Sequence, residues 1–226
     1  MKTKPILFST EMVQVNLAGR KTNTRRVIDE KHFGFLEYAF KNKKNLADWI
    51  SRTAKYQIGD VLWVRETFID VNQQAEKHFS GVRFHYKADG EFVGCWPWKP
   101  SIHMPKEAAR IFLKILNVRV ERLQDISEED CVAEGIKMIK KGDVYQDIED
   151  GKLIDKIHDE DCFYFYPSKG DFRDDSYMPK SIFPNAPKTS FYSLWEKING
   201  EGSWNKNPFV WVYEYQIIEK PENFLS

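Results

Sequence analysis

The sequence predicts an α+β domain whose centre is a small, closed or partly closed β-barrel with short flanking helices and loop insertions. Three observations point there. Apolar runs with strand-like alternation recur, most clearly over residues 61–66, 118–122 and 209–218. Helical signals are few and short. No repeating order of strand, helix and parallel strand is present. A length of 226 residues suits one domain, residues 1–226, with insertions at about 28–57 and 137–188.

Residues 5–9 form a short apolar run, and Ser9, Thr10 and Glu11 then supply a capping hydroxyl and a first-turn acid for a helix to about Ala18. Residues 29–57 are polar and lysine-rich, with helical spacing around 46–52. Gly59 and Asp60 introduce VLWVRETF, whose two apolar faces mark a central strand. Residues 84–88 predict another strand, ended by the turn Ala88-Asp89-Gly90. Residues 110–123 give the longest strand signal, with a bulge or turn expected at Asn117. Ser127 caps a short helix whose first turn is Glu128, Glu129 and Asp130 and which ends at Gly135. Residues 137–188 interrupt the pattern with mixed charges, an aromatic run at 163–167 and several prolines, and predict an insertion rather than core. Residues 189–198 then have helical spacing, and 209–218 form the last strand.

Hydrophobic residues make up 42% of the chain and aromatics 15%, which excludes a disordered or low-complexity protein. A net charge of zero argues against a protein that coats nucleic acid nonspecifically. The charges are nevertheless uneven. Residues 1–65 hold 13 Lys/Arg against 6 Asp/Glu, and residues 121–175 hold 8 against 17, so an anionic partner would prefer the first region. Cys95, Cys131 and Cys162 are odd in number and widely spaced, as expected of reduced thiols in a cytoplasmic protein. His32, His78, His85, His103 and His158 lack metal-ligand spacing, so neither a metal nor a cofactor is expected. No signal-peptide core and no apolar stretch of roughly eighteen residues is present, which predicts a soluble protein with no membrane partner. Oligomeric state is not indicated.

The most informative stretch is LAGRKTNTRR at residues 17–26, where a glycine placed to end a helix is followed by three arginines, a lysine and two threonines. Glycine at that position turns the chain in left-handed geometry and carries the next side chains away from the helix. An anion or nucleophile site can be built this way, as can a solvated loop whose cations complement the helix end.

This stretch, the strand GDVLWVRET, the unit VRVERLQDISEEDCVAEGI and the terminal NPFVWVYEY, in that order, resemble the ASCH domain family of the PUA-like superfamily, most nearly its longer phage- and prophage-associated members. The matching segments cover roughly half the chain and leave out both insertions. The resemblance implies a compact β-barrel with a cleft and, as ligand, RNA or a modified nucleoside. A small bacterial branch of the family hydrolyses N4-acetylcytidine to cytidine and acetate with a lysine, a threonine and a glutamate. Its GRKT-x-T turn matches residues 19–24, which makes Lys21 and Thr24 the implied lysine and threonine. Its glutamate maps to Glu134, in the register set by Ile126-Ser127-Glu128.

Amide hydrolysis needs a nucleophile, a base to take its proton and an acid for the leaving amine. Thr24 suits the first role, a desolvated Lys21 the second, and Glu134 either donates a proton to the amine or holds it. A backbone amide of residues 21–25 or a nearby arginine suits the oxyanion. Arg20, Arg25 and Arg26 are candidates for anion binding and for tuning Lys21. Trp63, Arg65, Glu66 and His103 are further candidates for the cleft, although a buried Arg or Glu more often forms an internal ion pair. The different-class alternative is a noncatalytic RNA- or DNA-binding regulatory protein using its basic N-terminal region. Nuclease activity rests on family analogy alone.

Overall fold

The structure, a computed structural model, describes residues 3–71, 82–90, 96–149, 152–157, 159–164, 177–179, 181–182 and 184–225. Cys95, His78, His158 and residues 165–167 of the aromatic run lie outside them. In chain order the elements are β1 (Thr3–Leu7), α1 (Thr10–Leu17), β2 (Asn23–Val27), α2 (Phe33–Lys41), α3 (Ala47–Thr53), β3 (Val61–Arg65), β4 (Phe68–Asp70), β5 (Phe84–Tyr86), β6 (Phe112–Arg122), α4 (Glu128–Ala133), β7 (Met138–Ile139), β8 (Val144–Glu149), β9 (Lys152–Ile157), β10 (Cys162–Tyr164), β11 (Tyr177–Pro179), α5 (Ala186–Asn199) and β12 (Phe209–Ile218). The chain is α+β. It divides into two compact units, residues 1–26, 34–120 and 211–226, and residues 27–33 and 121–210. None of the described helices is long and apolar enough to cross a membrane.

The first unit carries a five-stranded sheet in the order β1-β3-β6-β12-β2. β1 runs parallel to β3, with Pro5 opposite Trp63, and β3 runs antiparallel to β6, with Leu62 opposite Leu113. β3 is buried through its first four residues, as its two apolar faces require. Of the closed or partly closed barrel expected, full closure is not formed, because no ladder joins β1 to β2 among the described residues. Pro5 supplies a physical reason: it has no amide hydrogen to donate and therefore belongs on an edge. The carbonyls of Pro5 and Leu7 accept side-chain bonds instead, from the Tyr56 hydroxyl and the Arg26 guanidinium, both at 2.8 Å. This blunts the edge against further pairing.

β6 runs unbroken through Asn117, where a bulge or turn was expected. Leu116 and Asn117 are both exposed, however, so the inside-outside alternation resets there, and Val118 and Val120 return to the buried face. Two successive exposed residues within one strand are the mark of the bulge expected there. Beneath the sheet, Trp63, Phe68, Met104 and Phe112 pack around Phe224 near the C-terminus, whose ring meets that of Phe112 edge-on at 4.7 Å. α2, not expected from the sequence, buries Leu36 and Ala39.

In the second unit, the insertion expected at 137–188 contributes strands: a three-stranded sheet in the order β11-β10-β7 and the hairpin β8-β9. α5 begins at Ala186, three residues before the expected start, with proline in its first turn. Phe191 and Tyr192 pack edge-on to Trp204, and both carboxylate oxygens of Glu196 accept backbone amides, from Gly202 and Trp204.

Just beyond β3 in the first unit, Glu66 is 1% exposed and receives two parallel hydrogen bonds from Arg110, each 2.9 Å. Arg110 also pairs with Asp89 at 2.7 Å and lies 3.9 Å over the Tyr86 ring. Burial pushes the Glu66 carboxyl above its ordinary range while Arg110 opposes that shift; burial likewise pushes Tyr86 up to about 12. Arg110→Met leaves this carboxylate buried and unpaired, and the expected loss is about 3–5 kcal/mol. Glu66→Gln added to it removes the charge and restores most of the stability. Since the single variant keeps a carboxyl whose folded pKa is raised, its stability relative to the double variant rises as pH falls from 7 towards 4. Chemical denaturation across that range checks both expectations.

Candidate functional site

The candidate site starts from the end of α1. Ser9 caps the helix by accepting the Met12 amide, and Ala18 ends it. Gly19 follows at φ +68°, and the amides of Gly19 and Arg20 return to the carbonyls of Asn16 and Val15 at 2.9 and 3.0 Å. This paired closure is the glycine-terminated helix end that the sequence predicts. Its geometry is reinforced by a buried polar tie: the Asn16 amide group donates to the Met12 carbonyl at 2.7 Å, and the Tyr215 hydroxyl donates to Asn16 Oδ1 at 2.9 Å. Tyr215 lies on β12 and its own amide donates to the Thr22 carbonyl at 2.9 Å, so the turn is fixed from both sides.

The chain therefore enters β2 with four polar side chains withdrawn from water: Lys21 (3% exposed), Asn23 (6%), Thr24 (4%) and Arg25 (5%). Burial of this many hydrogen-bonding and charged groups in five residues is costly unless each is engaged. Thr22 between them is exposed, and so is Arg20. The Lys21 ammonium lies 5.9 Å from the centre of the Phe8 ring, and the Arg26 guanidinium lies 5.5 Å from it. Phe8 thus presents its electron-rich face to two cations. Nothing beyond its place after the strand run of β1 marked Phe8 in the sequence.

The implied third residue, Glu134, belongs to the second unit. Ser127 caps α4 by accepting the Asp130 amide at 3.1 Å, and Glu134 ends the helix just before Gly135, at φ +82°. Its side chain is 5% exposed, unlike an ordinary solvated glutamate before a helix-ending glycine.

The remaining candidates separate from the Lys21 stretch in role. The three arginines have different environments, with Arg20 in solvent, Arg25 buried and Arg26 bound to the Leu7 carbonyl. Trp63 is a core residue packed against Phe224. Arg65 lies over Trp63 and donates to the Ile102 carbonyl. Glu66 is held by Arg110, a partner 44 residues away that the sequence did not single out. His103 is exposed in a short 3-10 turn, its amide bonded to the Pro100 carbonyl.

A cleft of about 590 Å³ lies elsewhere in the first unit, between α3 and β6, lined by residues that include Leu46, Ile50, Gln57 and Val118. Compared with known proteins, the chain matches no family profile, no curated protein and no solved structure.

A Cβ on Gly19 would touch nothing within 4 Å, so substitution there tests backbone conformation alone. Gly19→Ala is expected to cost about 1–2 kcal/mol through left-handed strain, and Gly19→Asn less. Denaturant midpoints of the two variants check this; equal stability of Gly19→Ala and the parent would show that the turn does not depend on glycine.

Proposed function

We propose that this protein is an amidohydrolase with a PUA-like fold that removes the acyl group from an N4-acylated cytidine or a related modified nucleoside. The observation that carries the proposal is the burial of Lys21 and Thr24 together, three residues apart and directly after a fixed turn. A lysine and a threonine on an ordinary basic loop would be solvated. The open edge bridged by Arg26 supports a partly closed member of that fold class.

Desolvation favours the neutral amine of a lysine, the form able to accept a proton. Lys21 takes the hydroxyl proton of Thr24 as Thr24 Oγ attacks the acyl carbonyl. The carbon to exocyclic nitrogen bond then breaks, and the proton passes to that nitrogen, giving free cytidine and an ester on Thr24. Water, deprotonated by Lys21, attacks the ester, releases the carboxylate product and returns the proton to Thr24. The arginines and the backbone amides of residues 21–25 are the donors available for the oxyanion.

Purified protein incubated with N4-acetylcytidine is expected to release cytidine and acetate. Lys21→Ala and Thr24→Ala each lower kcat/KM at least about 100-fold with the fold intact by circular dichroism. Absence of turnover by the parent protein, or undiminished turnover in Lys21→Ala, overturns the proposal.

A further inference from the structure

Away from the Lys21 stretch, α2 in the first unit presents aromatic rings to solvent beside a lysine-rich turn. Phe35 is 45% exposed and Tyr38, one helical turn on, is 58% exposed. The Phe35 ring is backed by Trp49 at 5.6 Å, and Trp49 stacks on buried Trp211 at 5.2 Å with the planes 13° apart. The outer ring is thus held by a column of aromatics that runs into the core, so little side-chain freedom remains to be lost when something stacks upon it.

The turn ending α2 contains Lys41, Lys43 and Lys44, all exposed, and none of their ammonium groups is in an ion pair among the described residues. Residues 34–55 hold five Lys/Arg against two Asp/Glu. Lys43 has φ +48°, and the Lys43 and Lys44 amides close the helix end on the carbonyls of Phe40 and Ala39. Glycine is the residue this left-handed position favours. A lysine there trades backbone comfort for a cation.

We infer that α2 and its lysine turn form a platform for single-stranded nucleic acid. Bases stack on Tyr38 and Phe35 while Lys41, Lys43 and Lys44 meet the phosphates. Exposed bases and a flexible charged backbone are what this combination of rings and mobile cations complements; a duplex hides its base faces. Arg25 is buried and Arg26 holds Leu7, whereas all three lysines of this turn are exposed, as are Arg20 and Lys55 elsewhere in the N-terminal region. The inference does not depend on the amidohydrolase proposal.

Fluorescence anisotropy with a labelled oligouridylate of about twelve nucleotides, and with the matching oligothymidylate, tests it in the Thr24→Ala protein, where turnover plays no part. Binding is expected with a slope of log affinity against log salt of about −2 for three phosphates. Tyr38→Ala lowers affinity at least about 5-fold and Tyr38→Phe preserves it. Lys43→Gly weakens binding and flattens the slope while leaving the melting temperature unchanged or higher, which separates the lysine's charge from its structural role. The inference is overturned if the single strands do not bind at about 50 mM salt, if a duplex binds as tightly, or if Tyr38→Ala or Lys43→Gly leaves affinity unchanged. A difference between the RNA and DNA arms identifies which strand the platform prefers.

Discussion

Withdrawing Lys21, Asn23, Thr24 and Arg25 from water imposes the constraint around which the first unit is organised. Two of these groups are cations at neutral pH unless their surroundings change that, and an isolated cation in an apolar interior is among the most expensive things a fold can hold. The local scaffold is correspondingly firm. Gly19 sets the reversal, the buried Asn16 joins α1 to Tyr215, and β12 fixes the backbone at Thr22. Phe8 offers its ring face to Lys21 and Arg26. A scaffold of this kind holds side chains to a narrow range of positions, which is what a nucleophile and its base require.

The Glu66 and Arg110 pair shows what a structural use of buried charge looks like in the same unit. Two parallel hydrogen bonds satisfy the carboxylate, Asp89 shares the guanidinium, and Tyr86 covers it. The fork geometry leaves the arginine little freedom to meet a ligand. It pins the end of β3 to the segment leading into β6. Charge buried this way ties one strand to the segment that leads into another.

Much of the fold was legible because its signals are local. Ser9 and Ser127 cap their helices, Gly19 and Gly135 end them, and the apolar faces of residues 61–65 place β3 in the interior of the sheet. α2 was not legible, since FGFLEYAF is apolar nearly throughout and its glycine near the start offers neither period nor cap. Closure of the sheet is a property of strands far apart in sequence, and only the structure shows Pro5 and Leu7 giving their carbonyls to side chains. The Arg110 partnership was hidden for the same reason. At the candidate site, composition identified a cluster of cations and hydroxyls, the family resemblance selected Lys21, Thr24 and Glu134, and burial distinguishes these three from the exposed Arg20 and Thr22.

The central claim is that Thr24 attacks the acyl carbonyl, and a covalent intermediate is its direct consequence. Rapid-quench mixing of the protein with excess N4-acetylcytidine, followed by mass spectrometry of the digested chain, looks for that intermediate. The account predicts one acetyl group on the peptide that carries Thr24, absent in Thr24→Ala and accumulating when hydrolysis of the ester is slowed. Steady release of acetate with no acetyl group on Thr24, or with the group on another residue, would contradict it.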